Sequence, residues 1–202
     1  MKIFAVVRNY GEICGGSPFG KGELSWFEIP DSSLLRSGQP FFVPDFAEEF
    51  RVFPTVVYRV SRLGKGIAAR FSKRYFDAAT LGCCAVAVDL LGNLRSQGEP
   101  WCRAVAFDKC CMLGNFVPLD DFPDRWVVKC GDIEALYNMD DIRHGVGEVL
   151  ESLSRDITVK EGDMIMAALY PVGLPLRIGT KLMARPDNDS AGGNCALDIN
   201  IR

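Results

Sequence analysis

The polar residue best placed for chemistry is Asp89, which ends the long uncharged run at residues 81–88. A run of this kind must be buried and predicts a central strand. In α/β-type folds, reactive groups commonly lie where such strands end. Asp89 could therefore be a catalytic or ligand-binding carboxylate. The alternative, which we favour, is that Asp89 caps a helix beginning at Leu90.

Eight cysteines and one histidine are the other residues that could bind a metal or act as a nucleophile. The doublets Cys83-Cys84 and Cys110-Cys111 lie in apolar runs, and the sequence contains no C-x-x-C pair. With His144 as the sole histidine, tetrahedral zinc would need thiolates at spacings that match no known pattern. Nothing near Cys84 in the sequence would activate its thiol. We interpret the cysteines as buried, reduced and structural, and His144 as solvated.

Length and charge limit the classes of protein to which the chain can belong. With 202 residues, 48% of them hydrophobic, the chain can form one full core, and we expect a single domain over residues 1–202. A net charge of −3 with scattered basic residues argues against binding to nucleic acid or to a membrane. The first apolar run is too short for a secretory signal, and no run reaches the ~18 apolar residues of a membrane span. We expect a cytoplasmic protein.

The pattern of apolar residues predicts a β-rich chain. The clearest strand covers residues 51–61, where Pro54 predicts a sheet edge or a bulge. Helical spacing of apolar residues predicts two helices, at residues 67–79 and 139–156. We therefore predict an α+β, β-rich fold in which a mixed or antiparallel sheet carries a few peripheral helices.

Six short motifs occur in a fixed order along the chain. They are Arg8-Asn9-Tyr10, Phe27…Pro30…Ser33, Arg62-Leu63-Gly64-Lys65, Gly98-Glu99-Pro100-Trp101, Ala106-Phe107-Asp108 and Thr158…Gly162-Asp163. Together they resemble the fumarylacetoacetate hydrolase family, in its small single-domain branch of acylpyruvate hydrolases, oxaloacetate decarboxylases and dioate isomerases. The resemblance implies the mixed β-sheet roll of that family and a homodimer.

The resemblance also implies a divalent cation, Mg²⁺ or Mn²⁺, held by a strand motif Glu-x-Glu and by an Asp at the end of the central strand. Counting back from the motif at residues 62–65 places the two glutamates at Phe53 and Thr55. Counting back from Trp101 places the aspartate at Cys84. A phenyl ring, a hydroxyl and a thiol are poor ligands for a hard cation. We therefore predict vestigial ligand positions here, and neither metal nor another cofactor.

Further positions that the resemblance equates with site residues have also become apolar. The expected catalytic lysine is Val105 and the expected histidine is Ile13, while Ala-Ala-Leu-Tyr at residues 167–170 replaces a substrate-contacting Thr-Gly-Thr-Pro segment. The remaining candidates for ligand binding are Arg8, Asn9, Tyr10 and Asp89.

Two hypotheses for the function follow. The first is a non-catalytic paralogue with a degenerate site and a structural, regulatory or ligand-binding role. The second is a hydrolase, isomerase or decarboxylase of small 2-oxo or 2,4-dioxo acids with an altered site. The expected partners are a second copy of the chain and either a small oxo-acid ligand or an active paralogue.

Overall fold

Two β-sheets make up most of the structure, a computed structural model that describes residues 1–11, 23–188 and 196–202. The strands are β1 (Lys2–Val7), β2 (Ser25–Pro30), β3 (Leu34–Arg36), β4 (Phe50–Val60), β5 (Phe76–Ala87), β6 (Cys111–Leu113), β7 (Val117–Pro118), β8 (Arg125–Cys130), β9 (Ile133–Asn138), β10 (Met164–Met166), β11 (Leu174–Pro175), β12 (Lys181–Pro186) and β13 (Leu197–Asn200). The helices are α1 (Val88–Gln97), α2 (Cys102–Val105) and α3 (Val146–Asp156).

The larger sheet is mixed and the smaller one is antiparallel. Among the described residues, the larger sheet has the order β2-β1-β10-β4-β5-β6-β3, with β11 beside β4 and β7 beside β5. The smaller sheet has the order β13-β12-β8-β9. The prediction of a β-rich α+β fold with a mixed sheet and a few helices is confirmed. None of the described helices has the length and apolar content that crossing a bilayer requires.

The two longest strands, β4 and β5, form the centre of the larger sheet. They pair antiparallel from Phe50 opposite Ala87 to Val60 opposite Phe76, and nearly all of their residues are buried. The register shifts near Val60 rather than at Pro54. The Pro54 carbonyl accepts a hydrogen bond from the Tyr170 N–H (2.8 Å), so this residue turns its backbone away from β5. The missing proline N–H therefore removes no bond from the β4–β5 ladder.

The helix predicted at residues 67–79 is wrong. Ala69–Arg74 forms a short 3₁₀ helix, and the chain enters β5 at Phe76. Within the predicted helix, Ala78 instead pairs with Arg59 of β4. Apolar residues at helical spacing occur here, but the ladder with β4 determines the conformation, because tertiary pairing overrides local propensity.

The second predicted helix is present but begins seven residues later than expected, at Val146. Met139–Asp141 forms a separate 3₁₀ turn, which is capped by the Asn138 side chain as it accepts from the Asp140 N–H (3.2 Å). The chain is extended between the two because the Asn9 side chain binds both the N–H and the carbonyl of His144. A helix cannot include main-chain groups that are already bonded elsewhere.

An ion pair with a buried carboxylate fixes the start of β1 to the start of β10. The Asp163 carboxylate is 1% exposed and lies 2.7 Å from the Lys2 ammonium. It also accepts hydrogen bonds from the main-chain N–H groups of Lys2 (2.8 Å) and Lys160 (2.9 Å). Both carboxylate oxygens are satisfied, which is the condition under which a buried charge is tolerated.

Candidate functional site

The three positions that the resemblance equates with metal ligands lie side by side in the β4–β5 ladder. Phe53 and Cys84 are direct cross-strand partners, and Thr55 pairs with Gly82. Because antiparallel partners point to one face, as do residues two apart along a strand, the three side chains share one face of the sheet. All three residues are 0% exposed.

The Phe53 ring is packed inside the protein, and the Thr55 hydroxyl is hydrogen-bonded there. A Cβ atom added to Gly173 would lie 2.6 Å from Cζ of Phe53, so the ring is tightly enclosed. The Thr55 hydroxyl donates to the Val56 carbonyl (3.1 Å) and accepts from the Ala168 N–H (3.2 Å).

The Cys84 thiol is part of a cluster of buried thiols. A hydrogen bond with the Cys110 thiol, together with burial, raises the pKa of Cys84 well above its usual value. Burial likewise raises the pKa of Cys83 and of Cys111. The six cysteines in the described residues are free thiols, and five of them are buried. Cys83, Cys84 and Cys111 are therefore neutral packing groups rather than thiolate ligands or nucleophiles. The prediction that the cysteines are buried is wrong for Cys102, which is exposed.

This set of side chains does not fit Mg²⁺ or Mn²⁺. Such cations need several hard oxygen ligands, including carboxylates that neutralise their charge. Phe53, Thr55 and Cys84 offer a single neutral oxygen, which is already hydrogen-bonded. Within residues 1–11, 23–188 and 196–202, no group of three His, Cys, Asp or Glu side chains is arranged to hold a metal ion.

Three tyrosine rings form a cluster, and the hydroxyl of one of them reaches the main chain of β4 next to Thr55. The Tyr137 hydroxyl accepts from the Val56 N–H (3.2 Å) and donates to the Ala168 carbonyl (2.9 Å), which links β9 of the smaller sheet to β4. The ring centroid of Tyr10 lies 4.7 Å from that of Tyr137 and 5.2 Å from that of Tyr170. Sequence reasoning missed Tyr137, because a single aromatic residue in a strand carries no motif.

Stability is expected to fall as the pH rises above about 10. Burial raises the pKa of Tyr58 to about 12, and it also raises the pKa of Tyr10 and of Tyr137. These phenols bind protons more tightly in the folded protein than in the unfolded chain. Their contribution to the free energy of unfolding is therefore complete below the ordinary tyrosine pKa. It is lost as the pH rises through the pKa values that these tyrosines have in the folded protein.

Urea unfolding at about pH 9 and about pH 11 measures this loss, and tyrosinate absorbance should rise together with unfolding. The variant Tyr58→Phe should lose less stability across the same interval, since it carries one fewer buried phenol. Complete ionisation of all tyrosines near pH 10 in a protein that stays folded would contradict the assignment.

Asn9 and Tyr10, two of the predicted ligand-binding residues, make structural hydrogen bonds. The Asn9 side chain is buried; it donates to the carbonyls of His144 and Ala167 and accepts from the His144 N–H, each at 2.9 Å. The Tyr10 hydroxyl accepts from the Asn138 N–H (2.6 Å) and donates to the Asp141 carboxylate (3.2 Å). These bonds hold the segment before α3 and the residue after β10 against the end of β1.

The prediction that Asp89 caps a helix beginning at Leu90 is wrong, because α1 begins at Val88, its N-cap is Ala87, and Asp89 lies within the first turn. Its carboxylate accepts from the Glu48 N–H (2.9 Å) and so fixes the segment before β4 to the start of the helix. Partial burial raises the pKa of Asp89, but nearby main-chain N–H groups, that of Glu48 foremost, outweigh it and leave the pKa below its usual value. The Oδ1 atom of this carboxylate is buried without a hydrogen-bond partner in the described part of the chain. Asp89 is thus ionised and acts as a tether near the helix start.

Arg8 differs from the other three candidates because it lines an open cleft. The cleft has a volume of about 220 Å³, and Arg95 of α1 and the indole rings of Trp26 and Trp101 also line it. Arg8 has a φ of +63°, a left-handed conformation that costs a non-glycine residue roughly 1–2 kcal/mol. Strain of this kind is typical of residues held in place for a function.

The two positions equated with the catalytic lysine and histidine do not contribute to this cleft. Val105 is 1% exposed, and its carbonyl accepts a hydrogen bond from the Cys110 thiol (3.4 Å). Ile13 lies outside the described residues. Sequence reasoning missed Arg95, although its spacing of four residues from Leu91 on a helix could have placed both on one face.

Comparison with known proteins gives one family match and several relatives. Residues 2–167 match the fumarylacetoacetate hydrolase C-terminal family. The oxaloacetate tautomerase YcgM of Escherichia coli is 28% identical over 201 residues, which cover 88% of this chain and 89% of that protein. A mitochondrial oxaloacetate tautomerase of Rattus norvegicus is 22% identical over 158 residues, which cover 76% of this chain and 69% of that protein.

Solved structures share the fold. The fumarylpyruvate hydrolase from Pseudomonas aeruginosa, solved with Mn²⁺ and pyruvate, superposes with a TM-score of 0.85 at 18% identity, over 100% of this chain and 89% of that chain. The 2-hydroxyhepta-2,4-diene-1,7-dioate isomerase from Mycobacterium marinum gives a TM-score of 0.82 at 19% identity, over 99% of this chain and 73% of that chain. Both likenesses concern the course of the backbone.

Proposed function

Because the chain belongs to the fumarylacetoacetate hydrolase family, we propose that it is a non-catalytic member that binds a small carboxylate without a metal. The observation that carries this proposal is the packing of Phe53, Thr55 and Cys84. These side chains are fully buried at the positions equated with the metal ligands. A divalent ion placed there would lose its hydration and gain no negative charge in return, which is strongly unfavourable.

The ligand chemistry follows from the Arg8 cleft. Two guanidinium groups, from Arg8 and Arg95, line it together with the indole rings of Trp26 and Trp101. A guanidinium group matches a carboxylate with two parallel hydrogen bonds, and indole faces accept the flat carbon skeleton of an oxo acid. Relatives named as oxaloacetate tautomerase and fumarylpyruvate hydrolase favour a small oxo acid as the ligand.

We further propose that the protein acts as a homodimer in the cytoplasm, with a regulatory or structural role beside an active paralogue. A binding protein of this kind would respond to the concentration of an oxo acid without consuming it. The cleft supplies the ligand site for such a role. The packed side chains of β4 and β5 provide neither a metal site nor catalytic groups.

Calorimetric titration with oxaloacetate and with pyruvate tests the ligand proposal. We expect saturable binding in chelator that weakens about tenfold or more in Arg8→Gly and in Arg95→Gln. Glycine suits the left-handed backbone of residue 8, so Arg8→Gly removes the guanidinium without adding strain. The control Arg36→Gln changes an exposed arginine on β3 and should leave the affinity unchanged.

Assays with fumarylpyruvate and oxaloacetate in millimolar Mg²⁺ or Mn²⁺ test the loss of catalysis. We expect no hydrolysis, decarboxylation or tautomerisation above the background rate. Turnover well above background would reinstate the second hypothesis, an enzyme with an altered site. Saturable Mg²⁺ binding that disappears in Asp89→Asn would identify the carboxylate to which the metal site had moved.

A further inference from the structure

The connection between β4 and β5 concentrates positive charge in a chain whose net charge is negative. Residues 62–74 contain five basic residues and no acidic residue. The five are Arg62, Lys65, Arg70, Lys73 and Arg74, and all are exposed. Scattered basic residues argue against an anionic partner for the chain as a whole, but this connection is an exception, because its charge is local.

Carboxylates of the described residues do not neutralise these five cations, whereas they do neutralise two arginines on β4. Arg59 forms a bidentate pair with Asp77, at 2.8 and 2.9 Å, and Arg51 pairs with Glu49 at 2.7 Å. In the part of the chain that the structure describes, none of the five forms an ion pair with a carboxylate. The nearby Glu151 carboxylate instead accepts from the Ala69 N–H (3.1 Å). The positive charge is therefore uncompensated.

An aromatic ring holds two of the guanidinium groups. The Arg70 and Arg74 guanidinium carbons lie over the ring of Phe71, at 4.8 and 5.3 Å from its centroid. Phe71 is itself 41% exposed. Stacking restricts the motion of each guanidinium plane but leaves its N–H groups free to donate. Both side chains therefore lose less conformational entropy when they bind an anion.

A cavity of about 260 Å³ lies among these groups. Lys65 and Arg74 supply cations to its lining, while Ile67, Phe71 and Tyr75 supply apolar surface. The Lys65 ammonium donates to the Asp156 carbonyl at the end of α3, which fixes its position. A cavity with both cations and aromatic surface fits an anion that is attached to a flat apolar body.

The sheet register separates this cavity from the Arg8 cleft. Ile3 pairs with Met164, which pairs with Arg59, so the start of β1 lies level with the end of β4. The basic connection follows that end, whereas Arg8 follows the far end of β1. At about 3.3 Å per residue the two sites are roughly 20 Å apart along the sheet.

We propose that the cavity between Lys65 and Arg74 binds the phosphate monoester of a small aromatic molecule, at a site independent of the Arg8 cleft. A phosphate monoester carries nearly two negative charges and three strong acceptor oxygens, which match several cations better than a single carboxylate does. The phosphate lies between Lys65 and Arg74, with further positive charge from Arg70. The ring packs against Phe71 and Tyr75.

Calorimetric titration of the full chain with phenyl phosphate tests this site. We expect saturable binding that is tighter than that of inorganic phosphate and absent for benzyl alcohol. Binding should weaken about tenfold or more in Arg74→Gln and in Lys65→Gln, and less in Arg74→Lys, which keeps the charge but loses the planar fork. In the control Arg36→Gln the affinity should be unchanged.

Several outcomes would overturn the proposal. The first is that phenyl phosphate shows no saturable binding. The second is that Arg36→Gln loses as much affinity for phenyl phosphate as Arg74→Gln does. The third is that the protein binds anionic vesicles or oligonucleotides but not phenyl phosphate. Circular dichroism confirms that each exposed-site variant is folded. Oxaloacetate binding at the Arg8 cleft should be unaffected in Arg74→Gln, so failure of one site is distinguishable from failure of the other.

Discussion

A variant that carries Phe53→Glu, Thr55→Glu and Cys84→Asp is expected to lose most or all of its free energy of unfolding in a chelator. Each change places a carboxylate at a fully buried position, and the three would face one another on one face of the β4–β5 ladder. Burying one unpaired ionised carboxylate costs several kcal/mol, and mutual repulsion adds to this. A domain has only about 5–15 kcal/mol of stability in total.

Urea denaturation monitored by circular dichroism, with and without Mn²⁺, measures the effect. The matched control is Phe53→Leu with Cys84→Ala, which keeps both positions apolar and should cost about 2–4 kcal/mol through lost packing. A triple variant that melted no lower than the parent in chelator would show that these positions are not a packed core. Stabilisation by Mn²⁺ would measure how much metal binding these three changes restore.

The second large effect is expected from Asn9→Ala, with a loss of about 3 kcal/mol of stability. The substitution removes three hydrogen bonds of 2.9 Å and leaves the Ala167 carbonyl buried without a partner. For a chain of this size the thermal midpoint should fall by about 10 °C. The isosteric Asn9→Asp should cost at least as much, because a carboxylate oxygen would then face two carbonyl oxygens.

The matched control is Asn93→Ala, which removes the same side chain from an exposed position on α1. It should change the stability by no more than about 0.5 kcal/mol. If Asn9→Ala melted with the parent yet lost oxaloacetate binding, Asn9 would be a ligand-binding residue, as the sequence first suggested, rather than a structural one.

The central strands could be predicted from the sequence because their signals are local. Residues 81–87 of the uncharged run are buried within β5, and the strand predicted at residues 51–61 is β4 with its bounds shifted by one residue. Phe53 and Cys84, which motif counting equated with two ligands of one metal, are cross-strand partners. Their identity with the ligand positions of the family stays a prediction.

Features that depend on distant partners could not be predicted in this way. Residues 67–79 have helical spacing, yet Phe76 and Ala78 pair with β4, which local sequence does not reveal. The role of Tyr137 arises from contacts with Val56 and Ala168, 81 and 31 positions away. Asn9 was predicted to bind a ligand because of its motif, but its hydrogen bonds are made to residues 135 and 158 positions away.

The parallel pairing of β1 with β10 also affects how the chain folds during synthesis. Lys2 and Asp163 are 161 positions apart, so β1 leaves the ribosome long before its partner has been translated. Contacts of such high sequence separation slow folding, toward the range of milliseconds to seconds. A nascent chain that stops before Met164 has unpaired edges on both β1 and β4, since β10 lies between them in the sheet. Such edges are where chaperones and other nascent chains would bind.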